Sequence, residues 1–139
     1  MSETASLMLT TVDKGLRFKV HAGKFMTAFD SGPGAQAASP VTAVLAALGA
    51  CTGMDVIGIL RKKRQRVTDY TIELTGERAE THPRVFTRIH VAHRLVGHDL
   101  SETAVAEAIR LSEDTYCSVH AMLKASVEIT SRFEILPAE

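Results

Sequence analysis

Two cysteines offer the most versatile chemistry in this chain, and their sequence surroundings differ. Cys51 lies in an apolar stretch, LGACTGM at residues 48–54, where a free cysteine is often a small buried hydrophobe with a raised pKa. Composition alone therefore favours a structural role for Cys51. Cys117 follows EDTY at residues 113–116 and is expected in the first turn of a helix. Unpaired backbone N–H groups there stabilise a thiolate, whereas the acidic neighbours oppose it, so both roles stay open.

The spacing of the two cysteines cannot show whether they meet, and a nearby histidine raises the alternative of a metal site. His120 follows Cys117 by three residues, which places both on one face of a helix. Zinc normally needs three or four ligands, and His90 and His93 are expected on opposite faces of one strand. The spacing therefore predicts no metal site. The sequence also lacks the motifs of serine hydrolases and of phosphate-binding loops.

One cysteine belongs to a segment that predicts a long apolar helix. Ser39 is a good N-cap, Pro40 suits the first helical position, and the basic cluster RKKR at residues 61–64 is typical of a helix end. Residues 41–60 are close to membrane-spanning length, but Asp55 and several threonines and glycines interrupt them. The apolar residues lie all round the helix, which predicts burial on most faces. We therefore expect a buried central helix and no membrane span.

Short alternating segments predict strands on both sides of that helix. Three strands before it form a predicted meander with turn residues between them: residues 7–12, 16–21 and 25–29, with turns at 13–15 and 22–24. Two strands after it have one apolar and one polar face and are predicted to form an antiparallel hairpin: residues 69–75 and 85–95.

The last third of the chain predicts two helices and a closing strand. Asp99 or Ser101 is expected to cap the first of these helices, and Asp99 with Glu102 would make a capping box. The remaining elements follow in order: a short break near 112–115, a helix at 116–124 and a half-buried strand at 127–135. The order βββ–α–ββ–αα–β predicts an α+β fold with antiparallel sheets packed around the long helix.

The bulk properties narrow the class of protein. With 139 residues, 45% of them hydrophobic, the chain predicts a single globular domain spanning residues 1–139. The formal net charge of zero argues against nucleic-acid binding. The N-terminal residues have no basic start and no adequate apolar run, so we expect no secretory signal, a cytoplasmic location and reduced thiols.

Several motifs, taken together and in order, resemble the OsmC/Ohr family over about residues 9–135. They are SPVTAVLAALGACTGMDV at residues 39–56, GER at 76–78, PRVFT at 83–87 and LSEDTYCSV at 111–119. The resemblance is greatest to the OsmC-like branch and smaller to the organic hydroperoxide resistance branch. It implies an OsmC-like fold and an intertwined homodimer with sites at the subunit interface.

The resemblance also implies a reaction and its residues. Family members reduce organic hydroperoxides with a pair of cysteines and without a metal or organic cofactor. Carried over, Cys51 attacks the peroxide and becomes a sulfenic acid, and Cys117 resolves it to a disulfide. A dithiol of the dihydrolipoyl type then reduces the disulfide.

One part of the family's peroxidase site is incomplete in this sequence. Efficient peroxidases of the family place an arginine and a glutamate around the reactive thiolate. Arg17 is the only arginine before the long helix and is the candidate, whereas the helix start, PVTA at residues 40–43, has no carboxylate. We therefore expect either a cysteine-based hydroperoxide reductase or a dimeric small-molecule or lipid-binding protein with little turnover.

Overall fold

The structure, a computed structural model, describes residues 1–12 and 14–139. The turn predicted at 13–15 therefore lies partly outside the described residues. The elements follow the predicted order, and the chain divides into two compact units, Met1–Val44 and Leu45–Glu139.

The first unit contains an antiparallel sheet in the order β1-β2-β3. Its strands are β1 (Ser6–Leu9), β2 (Phe18–Ala22) and β3 (Phe25–Phe29). Gly23, at φ 61°, makes the predicted turn between β2 and β3. Strand β1 is shorter than the strand predicted at residues 7–12, because its pairing with β2 ends at Leu9↔Phe18.

The long helix α1 (Pro40–Lys62) begins and ends close to the predicted residues. At its start, Ser39 Oγ accepts a hydrogen bond of 3.1 Å from the Thr42 N–H. At its end, Arg64 adopts a left-handed conformation at φ 58°, and the Gln65 N–H donates to the Leu60 carbonyl over 2.9 Å. A backbone cap thus accompanies the basic residues in ending the helix.

Only one face of α1 is buried in this chain, so the prediction of burial on most faces is wrong for it. The buried residues recur at helical spacing: Leu48, Gly49, Thr52, Gly53, Val56 and Leu60. A flat sheet covers one stripe of a helix, which is why the rest stays accessible. By length and composition α1 is also apolar enough to cross a membrane, yet its buried stripe is packed like that of a core helix.

The second unit contains a mixed sheet in the order β4-β5-β6, made of β4 (Arg66–Arg78), β5 (Phe86–His98) and β6 (Glu128–Pro137). The predicted antiparallel hairpin of β4 and β5 is confirmed. The expectation of a wholly antiparallel sheet is wrong, because β6 pairs with β5 in parallel. The helices between β5 and β6 return the chain to the end of the sheet at which β5 begins, so the two strands run in the same direction.

The connection between β5 and β6 is helical throughout most of its length. It comprises α2 (Glu102–Leu111), a π-helical segment (Ser112–Tyr116) and α3 (Ser118–Leu123). Ser101 is the N-cap of α2, and its Oγ accepts from the Ala104 N–H over 3.1 Å. The capping box proposed for Asp99 is wrong, because Asp99 lies before the cap at φ 51°. The predicted break near 112–115 is instead the wider π-helical turn.

The core of the second unit lies between α1 and the helix-facing side of β5. Alternate residues of β5 are buried there: Ile89, Val91, His93 and Leu95. One cluster around Val56 and Leu95 packs against α2. A second cluster around Leu48 and Val91 includes the buried Cys117, with Cys51 packed against it. Core packing therefore positions both cysteines.

Candidate functional site

The fold brings Cys51 and Cys117 together although they are far apart in the sequence. Thr52, the residue after Cys51, is 65 positions from Cys117. The sulfur atoms of Cys51 and Cys117 and a carboxylate oxygen of Asp55 all lie within 4.8 Å of one another. Both cysteines are free thiols. Cys51 and Asp55 are one turn apart on α1, and Cys117 is the N-cap of α3, so regular elements hold all three.

Cys117 is enclosed and hydrogen bonded. Its side chain is almost fully buried, and its Sγ accepts hydrogen bonds from Thr52 Oγ1 (3.4 Å) and from the His120 N–H (3.3 Å). Burial raises the pKa of the Cys117 thiol, the two hydrogen bonds lower it, and the neighbouring Cys51 raises it again. The expected stabilisation of a thiolate by a helix N-terminus is present as one N–H donor, but burial outweighs it.

Cys51 is more accessible than its apolar surroundings predict. It is half-buried and packs at the margin of the cluster that holds Cys117. The adjacent exposed positions on α1 are Ala50 and Met54. An inert core role, which composition alone favours, does not match this partial exposure.

Asp55 is the third member of the group, and no sequence motif places it at the thiols. Its Oδ2 accepts a hydrogen bond of 2.9 Å from Ser112 Oγ, a fully buried hydroxyl at the start of the π-helical segment. The signal available in the sequence was the spacing of four residues between Cys51 and Asp55 on one helix. The arrangement fixes a carboxylate beside both sulfur atoms.

An open depression adjoins this group. It has a volume of about 230 Å³ and extends along α1 to the π-helical segment. Its lining combines apolar side chains with the Asp55 carboxyl and one cation: Met54, Asp55, Gly58, Ile59, Lys62 and Tyr116. Asp55 therefore borders both the depression and the two thiols.

The histidines considered as metal ligands have other partners or other places. Cys117 precedes α3, so the shared helical face predicted for Cys117 and His120 is replaced by a contact from the His120 backbone. His93 is buried in the sheet, where its Nδ1 shares a hydrogen bond of 2.6 Å with the Tyr70 hydroxyl. Burial lowers the pKa of His93 to about 4. Among the residues that the structure describes, the group with ligand atoms close enough to share a metal ion is Cys51, Asp55 and Cys117.

Arg17 and the arginine of the GER motif, Arg78, make local contacts. Arg17, in the first unit, donates from Nη1 to Gln36 Oε1 over 2.6 Å. Hydrogen bonds from the backbone N–H groups of Gln36 and Ser31 hold the pKa of Asp30 below its usual value. The positive charge of Arg17 lowers this pKa further. The catalytic role of Arg17 stays a prediction. Arg78 donates from Nε to the Arg84 carbonyl over 2.7 Å, which joins the two ends of the loop between β4 and β5.

The comparisons with known proteins agree with this fold. The sequence model of the family described as OsmC-like protein matches residues 32–132. Protein YhfA of Escherichia coli (strain K12) is 45% identical over 109 residues, which cover 78% of this chain and 81% of YhfA. The chain therefore belongs to the OsmC-like family.

Solved structures show the same architecture. A hypothetical protein from Aquifex aeolicus superposes with a TM-score of 0.89 and 30% identity, covering 100% of this chain and 99% of that one. The organic hydroperoxide resistance protein OhrB of Bacillus subtilis superposes with a TM-score of 0.64 and 13% identity, covering 96% and 98% of the two chains. OhrB thus shares the fold.

Proposed function

We propose that this protein reduces organic hydroperoxides in oxidative-stress defence, with Cys51 as the peroxidatic thiol and Cys117 as the resolving thiol. The observation that carries the proposal is the proximity of the two free sulfur atoms, within 4.8 Å of each other. A disulfide needs a sulfur separation of about 2 Å, so rotation of one or both side chains brings the thiols together. OhrB, named for organic hydroperoxide resistance, shares the fold.

The first step transfers one oxygen atom. The Cys51 thiolate attacks the terminal oxygen of the hydroperoxide, the O–O bond breaks, and the alkoxide leaves and takes up a proton. The products are the alcohol and the Cys51 sulfenic acid. In the second step the Cys117 sulfur attacks the sulfenic sulfur and displaces water, which leaves the Cys51–Cys117 disulfide. An external dithiol of the dihydrolipoyl type then reduces the Cys51–Cys117 disulfide by thiol–disulfide exchange and is itself oxidised.

The difference in accessibility supports this assignment of roles. Cys51 is half-buried and able to meet a substrate, whereas Cys117 is almost fully buried behind it. Burial also raises the pKa of the Cys117 thiol, which disfavours the thiolate form that would attack a peroxide. The reverse assignment would require a peroxide to reach a sulfur enclosed by Thr52 and the start of α3.

The depression beside the thiols supports an organic rather than a small inorganic peroxide. Met54, Ile59 and Tyr116 supply apolar contact surface for an alkyl or acyl chain, and Lys62 adds a cation. Asp55 lines the depression and lies within 4.8 Å of both sulfur atoms, so a chain held there with its peroxide end at Asp55 is close to the thiols.

The remaining parts of the proposal concern Arg17 and the assembly. We assign to Arg17 the stabilisation of the Cys51 thiolate and the orientation of the peroxide. The protein acts as one domain in a cytoplasmic homodimer with two sites at the subunit interface. Exposed apolar side chains on the second unit support the homodimer, because a partner subunit would cover them. Met54, Tyr116 and Met122 are 73%, 59% and 70% exposed.

A second function is favoured by one specific observation. The first turn of α1 carries no acidic residue, so an arginine at the site would lack a carboxylate to hold it. Loss of such preorganisation reduces stabilisation of the transition state by about 3 kcal/mol where one donor is affected. A dimeric protein that binds small molecules or lipids in the same depression, with little turnover, is the alternative.

Turnover separates the two functions. We expect the reduced protein to consume cumene hydroperoxide or a lipid hydroperoxide in the presence of dihydrolipoamide, and Cys51→Ser to lose this activity entirely. Ala50→Ser introduces the same side chain at the neighbouring exposed position and should retain activity. If neither hydroperoxide is consumed in a Cys51-dependent manner, the binding function is the better description.

The disulfide gives an independent readout of the cysteine roles. One equivalent of hydroperoxide should remove two free thiols per chain without linking chains. Cys117→Ser should stop at the Cys51 sulfenic acid, detectable with a dimedone-type probe and by mass. Persistence of both thiols, or a covalent dimer, contradicts the assignment of a peroxidatic and a resolving cysteine.

A further inference from the structure

The group formed by Cys51, Asp55 and Cys117 has a second chemical capacity besides thiol redox chemistry. We propose that the reduced protein binds one Zn²⁺ per chain through the sulfur atoms of Cys51 and Cys117 and a carboxylate oxygen of Asp55. Zinc in this place occupies both thiols and holds the protein in a reversible inactive form.

The distances and ligand types suit zinc. Zinc bonds thiolate sulfur at about 2.3 Å and carboxylate oxygen at about 2.1 Å, so two sulfur ligands in a tetrahedron lie about 3.8 Å apart. The three ligand atoms are already within 4.8 Å of one another, and small side-chain rotations close the remaining gap. Two thiolates with one carboxylate select a borderline or soft divalent ion over Mg²⁺ or Ca²⁺.

The residues around the ligands hold them in orientation. Ser112 Oγ donates to Asp55 Oδ2 over 2.9 Å, which leaves the other carboxylate oxygen for a metal. Thr52 Oγ1 and the His120 N–H donate to Cys117 Sγ at 3.4 and 3.3 Å, and such donors stabilise a metal-bound thiolate. Three hydrogen bonds, with donors in α1, the π-helical segment and α3, thus support the ligand set.

The site is rigid on one side and open on the other. Cys51 and Asp55 are four residues apart on α1, and Cys117 is fixed as the N-cap of α3. Asp55 also lines the open depression of about 230 Å³, which gives the ion a path of entry. Three protein ligands leave the fourth tetrahedral position to water or to an exogenous thiol.

Binding has a defined stoichiometry of protons. Each cysteine S–H bond that a Zn–S bond replaces passes its proton to the buffer, so up to two protons are released per chain. The sulfur lone pair that would attack a peroxide is then engaged by the metal. Inhibition of turnover rests on the proposed function, whereas binding itself does not.

Titration of the reduced protein in the absence of any peroxide tests the site. We expect calorimetry with Zn²⁺ to give one ion and up to two released protons per chain, and Cd²⁺ to produce an ultraviolet thiolate-to-metal charge-transfer band. Asp55→Asn should weaken binding at least about 10-fold. Asp114→Asn makes the same charge change at an exposed carboxylate that faces Arg110 and should leave binding unchanged.

Alkylated wild-type protein removes the thiols without a substitution and should show no charge-transfer band. Absence of the band in reduced protein, one ion per two chains, or an Asp55→Asn affinity equal to wild type would each overturn the proposal. Where turnover is present, Zn²⁺ should inhibit it and a chelator should restore it. Where turnover is absent, the binding titration still decides the zinc site, so the two proposals fail separately.

Discussion

Packing, more than charge, distinguishes the two thiols from each other. Cys117 is surrounded by core side chains and by donors from Thr52 and His120, and the pKa of its thiol is raised because burial is the largest influence. Cys51 shares the same cluster but stays half-exposed on α1. An accessible thiol and an enclosed thiol thus lie within 4.8 Å of each other because the two sulfur atoms lie at different depths in the core.

The environment of His93 affects the pKa of this residue and, through it, the stability of the protein. His93 is a helix-facing residue of β5, 1% exposed, with its ring stacked against Tyr70 at a centroid distance of 5.9 Å. Burial keeps the imidazole neutral and lowers its pKa to about 4, and burial likewise raises the pKa of Tyr70. The shared hydrogen bond between Nδ1 and the hydroxyl therefore joins two neutral groups over the neutral pH range.

This linkage predicts a stability that falls with acidity. The unfolded chain protonates His93 near pH 6.5, whereas the folded chain does so only near pH 4, so the free energy of unfolding decreases as pH falls between these values. The loss is at most about 3.5 kcal/mol, since each tenfold difference in proton affinity is worth about 1.4 kcal/mol. Urea denaturation at several pH values between 4 and 7 measures it.

His93→Gln keeps a polar group near Tyr70 and removes the titration. The variant should be less stable at pH 7 but show a flatter pH dependence than wild type. His21→Gln, at an exposed position, should follow the wild-type slope. Equal slopes for wild type and His93→Gln would mean that other groups cause the acid sensitivity.

At the scale of elements, close contact between backbones decides which positions accept a side chain. Along α1, the close contacts of a Cβ at Gly49 or Gly53 would be with the ends of the flexible side chains of Leu74 and Ile72. Gly97 on β5 differs, because a Cβ there would meet the backbone carbonyl of Arg66 on β4 as well as Leu100. A side-chain end can rotate away, whereas a backbone carbonyl held in a sheet cannot.

Gly97→Ala should therefore destabilise the protein by about 2–3 kcal/mol, as overpacking of a core does. The β4–β5 pairing must shift locally to admit the methyl group. Chemical denaturation of purified variants gives the difference in unfolding free energy.

Thr71→Ala, at an exposed position of β4, is the matched control and should change stability by no more than about 0.5 kcal/mol. A Gly97→Ala protein as stable as this control would show that the strands separate easily at that point.

At the scale of the whole molecule, α1 presents more apolar surface than one chain covers. The helix is apolar enough to cross a membrane, yet only a third of that apolar stretch is buried. Solvent exposure of a large residue such as Met54 is unfavourable unless something covers it. The proposed homodimer accounts for this surface without a membrane.

The dimer predicts an effect of charge on association. Wild-type protein should sediment as a dimer at micromolar concentration, and Met54→Asp should raise the dissociation constant at least about 10-fold, because a carboxylate would be buried without a partner. Ala106→Asp places the same charge on exposed α2 and should leave the dimer intact. A wild-type monomer under these conditions would remove the dimer from the proposal.

The sequence by itself determined the order of elements and the limits of α1. Alternation with period two, a capping serine and a first-turn proline are local signals, and each is confirmed in β4, β5 and α1. Resemblance to the OsmC/Ohr family, carried by short motifs around the two cysteines, is likewise confirmed at the level of family. Local chemistry is sufficient for these features because neighbours along the chain produce them.

Only the tertiary structure decided the direction of β6, the exposure of α1 and the membership of the thiol site. The parallel pairing of β6 depends on how a helical connection crosses the sheet, which no alternation pattern encodes. Asp55 became part of the site because Ser112 and Cys117, more than fifty residues away, pack against the same face of α1. Contacts between distant segments form only when the core packs. For that reason the sequence motifs indicated both cysteines but not Asp55 beside them.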